Sequence, residues 1–190
     1  MSERVLSFPV SQYIIRIDEC QYCENPRELL PVGSMVCFHN RYGSLGDAHD
    51  YRVEDHQSWE ELRKHILKDN PNAVILPLFL FDHSGKNIST TDEQFRLVDP
   101  QGWDWGQVGF VFVSLETARE EYGFGRITKA RREWLADMLR AEVEEYSCYL
   151  RGEVYSYIIE NSNGEEVESK SGILGYVNAL NEAMSEVAAL

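Results

Sequence analysis

The sequence predicts an α+β fold: a single domain over residues 1–190, with a mostly antiparallel or mixed sheet and helices packed on it. Three observations predict it. Apolar stretches of strand length recur along the chain, helical periodicities fall between them without strict alternation, and Asn163-Gly164 sits between two strand-like runs as a hairpin turn. A chain of 190 residues, 43% of them apolar, is long enough to bury one sizeable core.

In chain order, "QYIIRID" (12–18) alternates as a half-buried strand does, and "ENPRELLPVG" (24–33), with two prolines, reads as a loop. "SMVCFHN" (34–40) is rich in strand formers and predicts the next strand. Gly43, Gly46 and Asp47 then supply turn chemistry. Ser58 ahead of "WEELRKHILKDN" is an N-cap with Glu61 three residues on, and Trp59, Leu62 and Ile66 share one helical face. Asn70-Pro71 ends that helix. "AVILPLFLFD" (73–82) is almost continuously apolar, the pattern of a strand covered on both faces, with a bulge or interruption expected at Pro77. "DHSGKN" (82–87) reads as a polar turn and 88–106 as a looser stretch.

"GQVGFVFVSLE" (106–116) predicts a second central strand, followed by a short helix, "LETAREEY", that stops at Gly123. The longest helix is expected over 128–150, with Ile127, Trp134, Leu135, Met138, Leu139, Val143, Tyr146 and Leu150 as its buried stripe. Residues 153–171 form a hairpin pattern. "GYVNALNEAMSEVAAL" closes the chain as a helix, with Val177, Leu180, Ala183 or Met184, and Val187 inward.

Charge narrows the function classes. Eighteen basic residues against 32 acidic ones leave a net charge of −14, and from Ala141 onward 10 acids are opposed only by Arg151 and Lys170. Direct nucleic-acid binding is not expected, because phosphate contacts need lysine and arginine, whereas an acidic face suits a basic partner. No run reaches the ~18 apolar residues of a membrane helix, so no membrane association is expected. The start, "MSERVLSFPVSQY", lacks a signal peptide's apolar block. The expected location is the cytoplasm, where Cys20, Cys23, Cys37 and Cys148 remain reduced thiols.

The densest chemistry lies in "FHNRYGSLGDAHDYR" (38–52). His39, Asp47, His49 and Asp50, with His83 from "FDHSG", could converge as nitrogen and oxygen ligands of a metal-dependent enzyme, although no H-E-x-x-H spacing is present. The same stretch reads as a folded loop in which Asp47 or Asp50 caps backbone N–H groups while His49 and Tyr51 pack beneath. Cys20-x-x-Cys23 lacks a second pair, though Cys37 and His39 could complete a zinc set. Cys37 and His39 also share a strand face as a thiol and its base. Ser84 lacks the flanking glycines of a nucleophile elbow, and no P-loop spacing occurs. No cofactor and no catalytic residue is assigned, so the chain is expected not to be an enzyme.

"VCFHNRYGSLGDAHDY", "VILPLFLFDHSG" and "WDWGQVGFVFVS", followed by "AREEYG" and "YLRGEVYSYIIE", resemble an uncharacterised family of small acidic proteins of bacteriophages and mobile elements. The resemblance spans about residues 33–175. It departs at Trp105, where the family pattern has serine. It implies a phage setting, hence an inhibitor of host defence, anti-CRISPR or anti-restriction. Such an inhibitor would act as a nucleic-acid mimic on a host defence nuclease or CRISPR effector protein. The expected contact residues are Glu142, Glu144, Glu145, Tyr149, Glu160, Glu165, Glu166 and Glu168, with Tyr146 and Tyr155 as further aromatic anchors. A self-assembling phage structural or regulatory protein is a third reading.

Overall fold

The computed structural model describes residues 4–20, 23–29, 31–83 and 85–190, so Ser84 lies outside the described residues. In chain order the elements are β1 (Arg4–Val10), β2 (Tyr13–Glu19), β3 (Ser34–Cys37), α1 (Trp59–Asp69), β4 (Val74–Asp82), β5 (Lys86–Ser89), α2 (Glu93–Val98), β6 (Trp105–Val113), α3 (Leu115–Tyr122), α4 (Lys129–Arg151), β7 (Val154–Glu160), β8 (Glu166–Leu174) and α5 (Tyr176–Ala189). The class is α+β. The strands divide between two antiparallel four-stranded sheets, ordered β1-β2-β7-β8 and β3-β6-β4-β5. The chain correspondingly forms two compact units, Met1–Asn25 with Cys148–Leu190, and Pro26–Ser147, the division falling inside α4.

In the first unit, β1 turns into β2 through Ser11 and Gln12, with Ser11 at φ 56 and Val10 opposite Tyr13. The sequence pattern did not single out β1. Ile15 and Ile17 of β2 and Tyr155, Tyr157 and Ile159 of β7 point to one side, where Ala179 and Ala183 of α5 meet them. Two alanines on the helix face let it approach the sheet closely. This sets the phase of α5: Tyr176, Leu180 and Val187 pack inward, of the alternatives Ala183 and Met184 it is Ala183 that is buried, and Val177, expected inside, is exposed. The β7–β8 hairpin is present, closed by a turn in which Asn161 Oδ1 accepts from the N–H groups of Asn163 and Glu165.

In the second unit, α1 begins as its capping box dictates. Ser58 Oγ accepts from Glu61 N–H (3.3 Å), and Glu61 Oε2 accepts from Gln57 N–H (2.7 Å). Leu62 and Ile66 then pack on Val36, Phe110 and Phe112. Pro77 is tolerated in β4 because β5 pairs only with Phe79–Asp82, so β4 is an edge strand at Pro77 on that side. The irregularity falls next door, between Leu78 and Phe79, against β6. β5 and α2 occupy stretches whose polar sequence reads as turn and irregular chain. Leu135, Leu139, Val143 and Tyr146 of α4 are buried as the periodicity predicts, whereas Trp134 is 46% exposed and packs edge-on against Tyr122 at 4.7 Å. Buried Ser147 ties α4 to β5, donating to Asn87 Oδ1 (2.9 Å) and accepting from Ile88 N–H (3.0 Å).

One glycine is imposed by the sheet itself. A Cβ on Gly109 would sit 1.9 Å from the Val36 carbonyl oxygen, backbone that cannot move without opening the β3–β6 ladder. Gly109→Ala is therefore expected to lower stability by about 2 kcal/mol or more, measured by urea denaturation; a midpoint equal to that of the parent chain would contradict this register.

Candidate functional site

Three phrases distant in sequence meet at one end of the β3-β6-β4-β5 sheet: the chain leaving β3 (Phe38–Tyr42), the β4–β5 hairpin and the loop entering β6. They enclose a recess of about 390 Å³ whose polar lining includes His39, Arg41, Asp82, Asp104 and Gln107, with Leu80 and Val108 as apolar lining. Backbone pairing positions these groups. Phe38 N–H donates to Val108 O (2.8 Å), continuing the β3–β6 ladder, and Asp82 N–H donates to Asp104 O (2.7 Å), joining the hairpin to the loop.

The side chains form a connected set. The His39 ring stacks on Tyr42 at 4.8 Å, and Tyr42 Oη donates to Asp82 Oδ1 (2.9 Å). That bond, more than burial, holds the Tyr42 phenol above its ordinary pKa. Lys86 Nζ lies 4.8 Å over the same ring. Arg41 Nη1 reaches Asp82 Oδ2 at 3.3 Å, and His83 Nδ1 lies 2.9 Å from Asp104 Oδ2. A guanidinium, two imidazoles and two carboxylates thus line or border the recess, which equips it to hold polar ligand groups of either hydrogen-bonding sense.

Its outer lip is built by Asp99. The Asp99 carboxylate accepts from the N–H groups of Gln101 (3.2 Å) and Asp104 (2.9 Å), while its carbonyl accepts from Gly102 N–H and from Trp105 Nε1–H. Gly102 takes φ +70, open to glycine without strain. These backbone donors, led by Asp104 N–H, hold the Asp99 carboxyl below the ordinary aspartate range.

A second set of charges is structural. Arg27, whose side chain is 3% exposed, donates from Nε and Nη2 to both oxygens of Asp47 (2.8 and 2.7 Å), and from Nη1 to Glu142 Oε2 (3.1 Å). Glu142 also accepts from the N–H groups of Val32 and Gly33, and Asp47 from Met35 N–H. Burial alone would lower the Arg27 pKa; the bonds to Asp47 and then Glu142 outweigh it and raise it.

The expected contact residues therefore fall into different environments. Glu142 is bound into this network. Glu144 and Glu145 lie exposed on α4, with the Glu145 carboxyl pushed up by partial burial and then by the charge of Glu142. Tyr149 is half-buried, and Tyr146 and Tyr155 are core residues, 2% and 8% exposed. On the hairpin, Glu160 is paired with Arg16 at 2.7 Å, Glu165 accepts from Asn161 Nδ2 in the turn, and Glu166 and Glu168 are exposed on β8.

The five metal-ligand candidates are similarly divided. His39 lines the recess, and His83 borders it through Asp104. Asp47 is taken up by Arg27. His49 Nε2 lies 3.1 Å from Cys37 O, its ring edge-on to Phe38, and Asp50 is exposed beside it in a second recess of about 410 Å³. Among the described residues, no three histidine, cysteine or acidic side chains come together as a metal set. The Cys37 thiol is pushed up to about 12 by burial and then by Asp47, partly offset by Arg27, so it is not a thiolate at neutral pH. Sequence reading missed the His56 Nε2···His65 Nδ1 contact at 2.9 Å, which joins a loop to α1, and it missed Arg27 and Asp99. Only the turn-rich "DPQGWD" hinted at Asp99. Among the described residues, no helix is long and apolar enough to cross a membrane. No family model, curated protein or solved structure matches the chain with significance.

With the Asp99 carboxyl held low by its backbone donors, the lip is expected to resist acid. A depressed carboxyl contributes order that is present above its unfolded pKa and is lost only as pH falls through the lower folded value. The amide resonances of Gln101 and Asp104 should therefore keep their folded positions through the ordinary aspartate range near 3.8 and move only below it. Movement centred at or above that value would contradict the assigned bonds.

Proposed function

We propose that this chain is a phage-type inhibitor of host defence, anti-CRISPR or anti-restriction, that binds a basic nucleic-acid-handling protein through acidic surface and blocks nucleic-acid access. The observation that carries the reading is the β7–β8 hairpin. β8 is exposed on both faces from Glu166 to Gly172 and, among the described residues, pairs with β7 alone and ends its sheet. Across the ladder Glu166 stands opposite Glu160, a like-charge pairing that costs stability. Arg16 compensates Glu160, and Lys170, the strand's basic residue, is held by Glu182. The ladder shifts register between Ile159 and Glu160, so Glu166 falls on the face of Glu160 and Glu168 on the opposite face with Ile159, and the exposed ribbon carries a carboxylate on each side. A rigid ribbon with carboxylates on both faces offers a basic groove fixed negative charges without the flexibility of a strand of DNA.

The charge is concentrated in the smaller unit. Residues 1–25 and 148–190 hold 11 acids against 4 bases, as large an excess as the 21 against 14 of residues 26–147. Such an excess speeds encounter with a cationic surface more than it deepens affinity. The test is surface plasmon resonance against purified CRISPR effectors and restriction nucleases. Binding is expected at low salt and should weaken as salt rises, with association slowed about tenfold in Glu166→Lys/Glu168→Lys. Absence of binding to every such protein at low salt would end the reading.

A further inference from the structure

The three most exposed large apolar side chains among the described residues are Leu97 (84%), Trp103 (79%) and Val98 (74%), and all lie within residues 97–103. Single exposed apolar residues are ordinary on a protein surface, but three within seven residues concentrate apolar surface of the kind that partners cover. The two faces of α2 explain how they come to be outside. Phe95, 3% exposed, stacks on Phe81 at 5.5 Å and lies 6.4 Å from Trp105, anchoring the inner face. The next turn then carries Leu97 and Val98 outward.

Trp103 is held out by polar bonds rather than left loose. Its Nε1–H donates to Gln101 Oε1 (2.7 Å), and the loop beneath is closed by the four bonds to Asp99. The ring is therefore ordered before any partner arrives, which lowers the entropy lost on contact.

The rim identifies the partner's chemistry. Segment 92–104 carries Asp92, Glu93, Asp99 and Asp104 against Arg96, and Arg96 is taken up by Asp92 (2.6 Å) while lying 5.5 Å over the Trp105 ring. The apolar corner thus has a negative border. A second copy of this chain would bring the same border and another net charge of −14, so self-docking is disfavoured. We propose that Leu97, Val98 and Trp103 form a docking surface for a protein partner whose contact face is apolar at its centre and bordered by lysine and arginine. The proposal rests on the reading that the chain acts by binding protein, and it places aromatic and aliphatic anchoring contacts on the Pro26–Ser147 unit.

The test uses the whole ¹⁵N-labelled chain and a defined probe, an amphipathic helical peptide of leucine and lysine, with leucine–glutamine and leucine–glutamate versions as controls. The lysine peptide should shift resonances centred on 97–103, the glutamate peptide should not bind, and Leu97→Asp/Trp103→Ala should weaken the lysine peptide about tenfold or more. Both positions are exposed, and dispersion of the remaining resonances confirms that the variant is folded. Equal binding by that variant, shifts confined to β8, or a concentration-dependent dimer that the variant abolishes would overturn the proposal. Peptide binding at 97–103 without binding to any defence nuclease would retire the inhibitor reading alone. Nuclease binding unaffected by the two substitutions would retire this surface alone.

Discussion

The Pro26–Ser147 unit depends on one buried cation. Arg27 is the common partner of Asp47, twenty residues on, and Glu142, 115 residues on, and it also bonds the Gly33 carbonyl. The two carboxylates in turn take up the N–H groups of Val32, Gly33 and Met35, where the chain enters β3. A buried ion network of this kind contributes little net stability over an apolar substitute of the same shape, because desolvation offsets the attraction. Breaking it is another matter, since an unpaired charge stays behind. Its role is to fix which segments meet. The packing leaves no slack for an alternative, since a Cβ on Gly33 would lie 2.4 Å from Leu139 Cδ2 and 2.8 Å from Glu142 Oε2.

With the start of β3 fixed, the chain leaving that strand is fixed too. The Tyr146 hydroxyl accepts from Gly46 N–H (3.1 Å), so α4 holds both ends of the segment that contains Phe38, His39 and Tyr42. The recess therefore rests on a scaffold tied by charge on one side and by the β3–β6 ladder on the other. Several of its polar groups already engage one another, Tyr42 with Asp82 Oδ1 and His83 with Asp104, while the buried Asp82 Oδ2 has Arg41 at 3.3 Å and no hydrogen bond among the described residues. The corner at Leu97, Val98 and Trp103 is different, because its apolar side chains have no cover within the chain's described residues.

Much of the fold was legible in the sequence. The α1 capping box, the α4 stripe through Leu135, Leu139, Val143 and Tyr146, and the hairpin at Asn163-Gly164 all rest on local periodicity or local bonds, which sequence carries directly. β5 and α2 were not legible, because Lys86–Ser89 and Glu93–Val98 are short and gain their structure from Ser147 and from the Phe81–Phe95–Trp105 cluster, partners distant in sequence. The division into two sheets was hidden for a similar reason: β2 pairs with β7, and nothing local to Tyr13–Glu19 names a partner more than 130 residues away. The candidate site was half legible. Its three phrases stood out, but the environment of each charge did not. Glu142 and Glu144 are near neighbours in one acidic run, yet one bonds a buried arginine and the other lies exposed, and only tertiary structure separates them.

That separation of carboxylates into structural and surface sets is the most direct point of test, and equilibrium unfolding measures it. Glu142→Ala should cost about 3 kcal/mol, because it removes one of the two carboxylates that pair with buried Arg27 and leaves the Val32 and Gly33 N–H groups without their acceptor. Glu166→Ala/Glu168→Ala should move stability by less than about 0.5 kcal/mol, or raise it by relieving like-charge repulsion. A neutral Glu142→Ala beside a strongly destabilised hairpin variant would contradict the assignment of the network as structure and of the hairpin as contact surface.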